Sequence, residues 1–406
     1  MLEQPFFGRR LKELRLERGL SQAALVGEEL STGYLSRLES GARPPTERVV
    51  TYLAGKLGVP VCAFDDAPAG LAHVLAVVTS GDDGDDTAEA LSEAIAAEGQ
   101  RNPALRWQGL WLLARIKNRL GQYQDELDHM QDLVRLADQL DTPELRTRAR
   151  AQQARCMRAL GDNDQARACA AEAFRIAQEH RLSVRDTAPA LLVLVSAEAE
   201  AGRLPEARAH ADDLCALVER ASGSLPVEAM WAAATVRIRQ GEPAAAQRLL
   251  EDALRKLDSH DDLRLWMRLR LAAASMHLQI VPPQTAEARR HLEEAETALA
   301  FVGTRLHQQE FLALQVHLAF REGRVADAMK LCEQLGENDL LLSFRDRARL
   351  DAIRSQLLIL EGHFEEGIRR LRALAIEADE ALNLDLAAEI WRTLAEILTP
   401  GGNTGA

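Results

Sequence analysis

Residues 202–207 read Gly-Arg-Leu-Pro-Glu-Ala, and a Gly followed five residues later by Ala, or by a near substitute, returns along the chain about every 40 residues. In one copy Val281, which precedes two prolines, replaces the Gly, and in another Gly367 replaces the Ala. A period that holds through seven units is typical of a repeat array. The turn residues are Gly121, Gly161, Gly202, Gly241, Val281, Gly323 and Gly362, with separations of 39 to 42 residues.

The spacing predicts helical hairpins. Gly ends a helix without a Cβ penalty, and a small residue five positions later lets the returning helix pack closely. Apolar residues at helical spacing predict helices over 103–120, 124–140, 143–160 and 164–180. Because one hairpin cannot bury both of its apolar faces, neighbouring hairpins must stack, which predicts an all-α array with a concave surface. Prolines that suit helix starts occur at Pro103, Pro143, Pro205 and Pro243.

Residues 202–207 and 323–328 (Gly-Arg-Val-Ala-Asp-Ala) resemble the Gly-x-x-x-(Asp/Glu)-Ala turn of the tetratricopeptide repeat family. Units of that family are near 34 residues long, so each helix here is expected to be about one turn longer. The resemblance covers about residues 70–398 and implies a C-terminal right-handed superhelix of helical hairpins.

The first sixty residues differ from the array in charge. They contain 9 Lys and Arg against 7 Asp and Glu, whereas the whole chain contains 49 against 62. The remainder therefore has 40 against 55. A basic-leaning segment joined to an acidic array suggests that only the first part meets a polyanion.

Two segments of this N-terminal part carry a motif. Residues 15–25 read Arg-Leu-Glu-Arg-Gly-Leu-Ser-Gln-Ala-Ala-Leu, and residues 31–45 read Ser-Thr-Gly-Tyr-Leu-Ser-Arg-Leu-Glu-Ser-Gly-Ala-Arg-Pro-Pro. Ser21 and Ser31 suit helix N-caps, and the apolar spacing predicts one buried and one free face for the helix after Ser31. The pattern resembles the phage-repressor (XRE-type) helix-turn-helix family over residues 6–64.

That resemblance implies base-reading positions on the recognition helix, phosphate-anchoring positions at the start of the second helix, and a backbone contact after the recognition helix. It also implies that Arg15 and Glu39 tie the first helix to the third. The stretch from Ser21 to Arg37 is one residue shorter than usual, and Gly33 replaces a reading side chain, so specificity is expected to rest partly on DNA shape. The implied DNA-binding residues are Ser21, Gln22, Thr32, Gly33, Tyr34, Ser36, Arg37 and Arg43.

We therefore expect a helix-turn-helix domain over residues 1–64, a linker and degenerate first hairpin over 65–102, a repeat domain over 103–398, and a disordered tail over 399–406. The acidic run at residues 82–86 suggests calcium, but it lacks the alternating ligands and closing Glu of a calcium loop. A solvated turn with acidic helix caps is the favoured interpretation.

Enzymatic signals are weak. The five cysteines show no metal-ligand spacing and suit a reducing cytoplasm. There is no nucleotide-binding loop, no nucleophile and base set, and no apolar run long enough to cross a bilayer. No catalytic residue, metal site or cofactor is predicted, and His260, His291, His307 and His317 are expected at the surface.

In tetratricopeptide domains, side chains three, six and ten residues before the turn residue tend to face the concave side. Arg115 and Arg155 share one such offset, and two guanidinium groups favour a carboxylate. The alternative is that these arginines pair with neighbouring Glu and that the tryptophans are packing residues. The ligand-binding residues predicted this way are Trp111, Arg115, Asn118, Arg155, Arg158, Trp231, Thr235 and His317.

The combination of an XRE-type module and such repeats resembles the RRNPP peptide-sensing regulators of Gram-positive bacteria and their actinobacterial relatives. The resemblance implies a cytoplasmic homodimer whose partners are double-stranded DNA and a short peptide or acidic small-molecule effector, with no membrane association. The alternative is a DNA-bound adaptor whose array recruits a protein partner without a small ligand.

Overall fold

A computed structural model describes residues 4, 6–27, 29–64, 70–80, 85–99, 101–336 and 338–399. Within these ranges the chain forms 21 α-helices and one short 3-10 helix, and it contains no strand. The predicted all-α class is confirmed. Most of the predicted linker, the acidic turn at 82–84 and the tail at 400–406 lie outside the described residues.

Contacts divide the chain into two units, Met1–Gly109 and Leu110–Ala406. The domain boundaries drawn from the sequence remain predictions. The first unit contains the helices α1 Phe6–Glu17, α2 Gln22–Val26, α3 Thr32–Glu39, α4 Glu47–Leu57, α5 Leu71–Ser80 and α6 Asp85–Glu98, with the 3-10 helix Val61–Phe64 after α4.

The N-terminal helices pack around a small core in which Phe7, Leu11 and Leu53 are almost fully buried. Helix α1 packs closely against α3 at Gly8. A Cβ placed on this residue would come within 2.1 Å of the Leu38 carbonyl oxygen. Only Gly fits at this position, and the close contact fixes the position of α3 against α1.

The repeats follow the predicted order. The four helices predicted over 103–180 are observed with ends shifted by at most one residue. The helices are α7 Pro103–Leu120, α8 Tyr123–Gln139, α9 Pro143–Ala159, α10 Asn163–Glu179, α11 Val184–Glu200, α12 Leu204–Val218, α13 Leu225–Arg239, α14 Pro243–Lys256, α15 Leu263–Gln279, α16 Thr285–Val302, α17 Arg305–Arg321, α18 Val325–Leu335, α19 Phe344–Leu360, α20 Phe364–Glu380 and α21 Leu384–Leu398.

Turn and packing residues act as the repeat pattern indicates. The turn glycines adopt positive φ, and the small residue five positions later is fully buried, as at Ala207 and Ala328. The unit with turn residue Val281 departs from the pattern, because Ala286 is exposed and Ala288 is the buried residue instead. In the last hairpin a Cβ on Gly367 would lie 2.4 Å from Ile359 Cγ1 and 2.6 Å from the Ser355 carbonyl oxygen. Even an Ala side chain is too large here, which explains why Gly367 replaces the Ala found at this position in other units.

One polar cluster joins distant repeats within the second unit. Arg239 at the end of α13 and Arg345 at the start of α19 both donate to Asp385 and to the Asn383 side-chain oxygen, next to the start of α21. Both guanidinium groups are buried. The contact between Arg239 and Asp385 spans 146 residues of sequence, so the array folds back upon itself here.

Candidate functional site

Helix α3 presents one polar face and one apolar face. Ser31 caps its N-terminus, with its Oγ accepting from the Tyr34 backbone N–H at 3.1 Å. Leu35 and Leu38 have no exposed surface. The exposed residues of the first two turns are Thr32, Gly33, Ser36 and Arg37. The free face predicted for the recognition helix is therefore available to a ligand.

Arg37 holds its guanidinium out from this face. Its Nε donates to the Gly33 carbonyl oxygen at 3.2 Å, and among the described residues its two terminal nitrogens have no partner. Arg43 is exposed, with its guanidinium carbon 4.7 Å from the centre of the Tyr34 ring. Tyr34 is half-buried against the core, so it serves as a support for Arg43.

A buried ion pair holds α3 against α1. Arg15 donates to both carboxylate oxygens of Glu39, from Nε at 2.6 Å and from Nη2 at 3.1 Å, and Gln22 Nε2 donates to the same carboxylate at 2.7 Å. Burial alone would raise the pKa of Glu39, but the hydrogen bonds from Arg15 and Gln22 outweigh it and leave the pKa below its ordinary value. Gln22 thus has a structural contact besides its predicted role at phosphate, while Ser21 caps α2 through Ala24 N–H.

Several of the predicted ligand-binding residues come together inside the second unit, where Arg155 and Arg158 are half-buried and the neighbouring Arg268 remains exposed to solvent. Burial lowers the pKa of Arg155, and the charges that act most on it are Glu228, Arg158 and Arg268. Arg268 lies over the Trp231 ring, 4.9 Å from its centre. We call Arg155, Arg158, Glu228, Arg268 and Glu310 the interior charge cluster.

The cluster draws on four helices, α9, α13, α15 and α17. Burial raises the pKa of Glu310 to about 7, with Asp346 of α19 adding to the rise and Arg268 opposing it. Among the described residues, Arg155 and Glu310 form no hydrogen bond or ion pair. Arg158 lies 3.9 Å from Glu200, so Arg155 and Arg268 are the cluster arginines that have no ion-pair partner among the described residues.

Three cluster members were missed by the sequence offsets. Glu228, Arg268 and Glu310 each lie 13 residues before their turn residue, as does Arg349, and the signs alternate along the array. This fourth offset is the sequence signal that could have identified them. Because each helix is longer than in 34-residue repeats, one more turn of the first helix in each hairpin reaches the interior.

The other predicted ligand residues are not members of the interior charge cluster. Arg115 is exposed and is not among the principal charges acting on Arg155. Trp111 is half-buried, and exposed Thr235 donates its hydroxyl to the Trp231 carbonyl oxygen at 3.0 Å. Asn118 donates to the fully buried Glu126 at 2.9 Å, so its amide supports the first hairpins.

The histidine expectation was wrong for three of four residues. His260 is exposed, but His291, His307 and His317 are buried, because the helices that carry them are packed on several sides. Burial is the largest effect lowering the pKa of His317 to about 3, and its Nε2 accepts from Arg321 Nε at 3.2 Å. His317 is therefore neutral and internally bonded, and its place in the ligand site stays a prediction.

Other chemistry is limited in the described part of the chain. Cys156 is buried, and burial is the main cause that raises the pKa of its thiol to about 12. No group of three or more His, Cys, Asp or Glu side chains is placed to hold a metal ion in the described ranges. None of the described helices is both long enough and apolar enough to cross a bilayer.

Comparisons with known proteins agree with this architecture. A family model described as a helix-turn-helix domain matches residues 7–67. No curated protein sequence matches the chain. A Rap protein complexed with Competence and Sporulation Factor has a similar fold, with a TM-score of 0.59, 12% identity, and coverage of 96% of this chain and 99% of that chain.

Two further solved structures are similar. The Rap conjugation gene regulator of plasmid pLS20, in complex with the Phr* peptide, gives a TM-score of 0.54 at 12% identity over 99% of this chain and 98% of that one. PlcR of Bacillus thuringiensis, in complex with the peptide PapR7 and DNA, gives a TM-score of 0.42 at 15% identity, over 75% of this chain and 98% of that one. The two Rap likenesses confirm the repeat fold. Residues 7–67 match the helix-turn-helix family model, and the second unit has the fold of a tetratricopeptide-like array.

Proposed function

We propose that the protein is a cytoplasmic transcription regulator that binds double-stranded DNA through α3 and a short peptide or acidic small molecule through its array. The observation that carries the proposal is the presence, in one chain, of a helix-turn-helix domain with a free polar face and an array in which Arg155 and Arg268 have no ion-pair partner among the described residues. No catalytic step is part of the proposal.

For DNA binding, we place helix α3 in the major groove. Arg37 has the free fork needed to bind guanine O6 and N7, and Thr32 and Ser36 extend the reading face. Phosphate contacts are assigned to Ser21, Gln22 and Arg43, which position the domain without reading sequence. Gly33 contributes no side chain, and Tyr34 acts by holding Arg43.

For effector binding, we propose that a carboxylate of the effector binds to the interior charge cluster. Arg155 and Arg268 lie within electrostatic range of each other, and a carboxylate between them would gain charge-assisted hydrogen bonds. Trp231 supplies an apolar wall beneath Arg268. Two proteins of similar fold were each solved with a factor or peptide bound, which supports the same ligand class.

For regulation, we propose that the protein acts as a homodimer. Two DNA-binding heads read half-sites about 34 Å apart or a multiple of that spacing. An effector that binds one arrangement of the repeats better than another shifts the population of head spacings, with a coupling of about 1–3 kcal/mol.

We expect Arg155→Ala and Arg268→Ala each to weaken effector binding by roughly 10- to 100-fold, because each removes a charge-assisted hydrogen bond. The effector would first be identified by mass spectrometry of molecules that co-purify with the protein, then titrated by calorimetry. Arg248→Ala, an exposed arginine of α14, is the matched control and should bind normally. Unchanged affinity in both interior variants would contradict the site.

A further inference from the structure

A cavity of about 440 Å³ lies between α14 and α16, the second helices of two neighbouring hairpins. This volume is within the range of small-molecule binding sites. Leu250, Leu254 and Met276 give the cavity an apolar wall. The described residues that line it include no member of the interior charge cluster, which draws on first helices only. The cavity is therefore a separate site.

Two buried histidines, His277 and His291, form another wall, and we call the space the histidine cavity. Their rings are stacked, with centres 5.5 Å apart and planes at 12°. His277 Nδ1 lies 2.7 Å from Gln284 Oε1. Because an amide oxygen only accepts, Nδ1 holds the proton and His277 Nε2 is an acceptor. This Nε2 has no partner among the described residues.

The second ring of the pair, His291, contains an unsatisfied nitrogen. Its side chain is 4% exposed, and Nδ1 has no hydrogen-bond partner in the described part of the chain. Glu294 Oε2 lies 3.8 Å away, which is too far for a hydrogen bond. Burial is the largest effect lowering the pKa of His291 to about 4, so the ring is neutral. Buried polar atoms without partners cost stability, and two such rings on a cavity wall favour a ligand that bonds to them.

The charges on the lining decide which sign of ligand is favoured. Arg290 Nη2 donates to Glu287 Oε2 at 2.6 Å, so these two charges neutralise each other. Glu251 is exposed and accepts from the neutral Gln247 amide at 2.9 Å, and it forms no ion pair within the described ranges. The uncompensated charge on the lining is therefore negative, which favours a cation and disfavours an anion.

We infer that the histidine cavity binds a small organic amine. The ammonium group binds the Glu251 carboxylate, the apolar body packs on the wall formed by Leu250, Leu254 and Met276, and a hydrogen-bond donor elsewhere on the ligand binds His277 Nε2. The inference goes beyond the proposed function, because the site is distinct from the one assigned to the effector. Either assignment can fail while the other stands.

Tyramine is a suitable probe, because it combines an ammonium group, an apolar ring and a phenolic O–H. Nuclear magnetic resonance of the full chain with ¹³C-labelled methionine methyl groups gives a local readout. The Met276 signal, assigned with Met276→Leu, should shift saturably with a dissociation constant on the order of millimolar. The Met130 signal, from a residue buried in α8, should stay in place. The para-hydroxyphenylacetate anion should bind at least about 10-fold more weakly than tyramine, because its carboxylate meets Glu251.

Variants and analogues separate the contacts. Glu251→Gln should bind tyramine roughly 10-fold more weakly, because it removes a charge-assisted hydrogen bond. It should bind the neutral alcohol tyrosol like wild type. Glu293→Gln, at an exposed position of α16 outside the lining, is the matched control and should bind tyramine normally. Phenethylamine, which lacks the phenolic O–H, should bind wild type several-fold more weakly than tyramine.

Three results would overturn the amine site: no saturable shift of Met276 by tyramine, equal affinity for tyramine and the para-hydroxyphenylacetate anion, or equal tyramine affinity in wild type and Glu251→Gln. Equal affinity for phenethylamine and tyramine would overturn the contact with His277.

Discussion

Glu39→Ala is expected to destabilise the N-terminal domain by roughly 3–5 kcal/mol, because it leaves the buried Arg15 guanidinium without its ion-pair partner. Both members of the pair are buried, and Gln22 loses its acceptor as well. A loss of this size is a large fraction of the stability of a small domain. DNA binding should fall with it, since the pair fixes α3 against α1.

Hydrogen exchange measured by mass spectrometry distinguishes this local effect from a general one. Peptides from α1 to α3 should exchange much faster in Glu39→Ala, while peptides from the array keep the wild-type rate. Glu13→Ala is the matched control, because Glu13 is 62% exposed and pairs with Arg10 at the surface, where such pairs contribute about 1 kcal/mol or less. Equal exchange rates in α1 to α3 of wild type and Glu39→Ala would refute the structural role of the pair.

Asp385→Ala should destabilise the array by a similar amount, about 3–5 kcal/mol, because it leaves two buried guanidinium groups together with no carboxylate. Burial is the largest effect lowering the pKa of Arg239, and the Arg345 charge adds to it. The site therefore tolerates two positive charges only while Asp385 neutralises one of them.

Urea denaturation followed by far-ultraviolet circular dichroism measures this effect, with the midpoint expected at clearly lower urea. Asp327→Ala is the control, since Asp327 is 58% exposed and pairs with Arg324 one helical turn away, and it should shift the midpoint little. If Asp385→Ala unfolds at the wild-type urea concentration, the cluster does not hold the distant repeats together.

Local patterns in the sequence predicted most of the fold. Gly at the turn and Ala five residues later specify where one helix ends and where the next can approach, so the helices over 103–180 were predicted to within one residue. The two faces of α3 followed in the same way, because Leu35 and Leu38 recur at helical spacing and Thr32, Ser36 and Arg37 fall opposite them.

The interior charge cluster could be predicted only in part. Arg155 and Arg158 follow from the repeat offsets, but their approach to Arg268, more than 100 residues later, depends on how each hairpin is rotated against the next. Likewise, whether Arg239 meets Asp385 depends on the sum of the small rotations between successive repeat units. His317 was expected at the surface and is buried for the same reason, because the rotation of α17 decides whether that position faces solvent or the core.

The exposed face of α3 is the surface that we propose binds DNA. This binding can be measured by fluorescence anisotropy with a labelled duplex from upstream of the protein's own coding sequence, at moderate ionic strength. We expect Arg37→Ala to bind roughly 10- to 100-fold more weakly than wild type, and Arg248→Ala, with the same loss of charge in the array, to bind like wild type. Equal affinity of Arg37→Ala and wild type would show that α3 does not read DNA through this face.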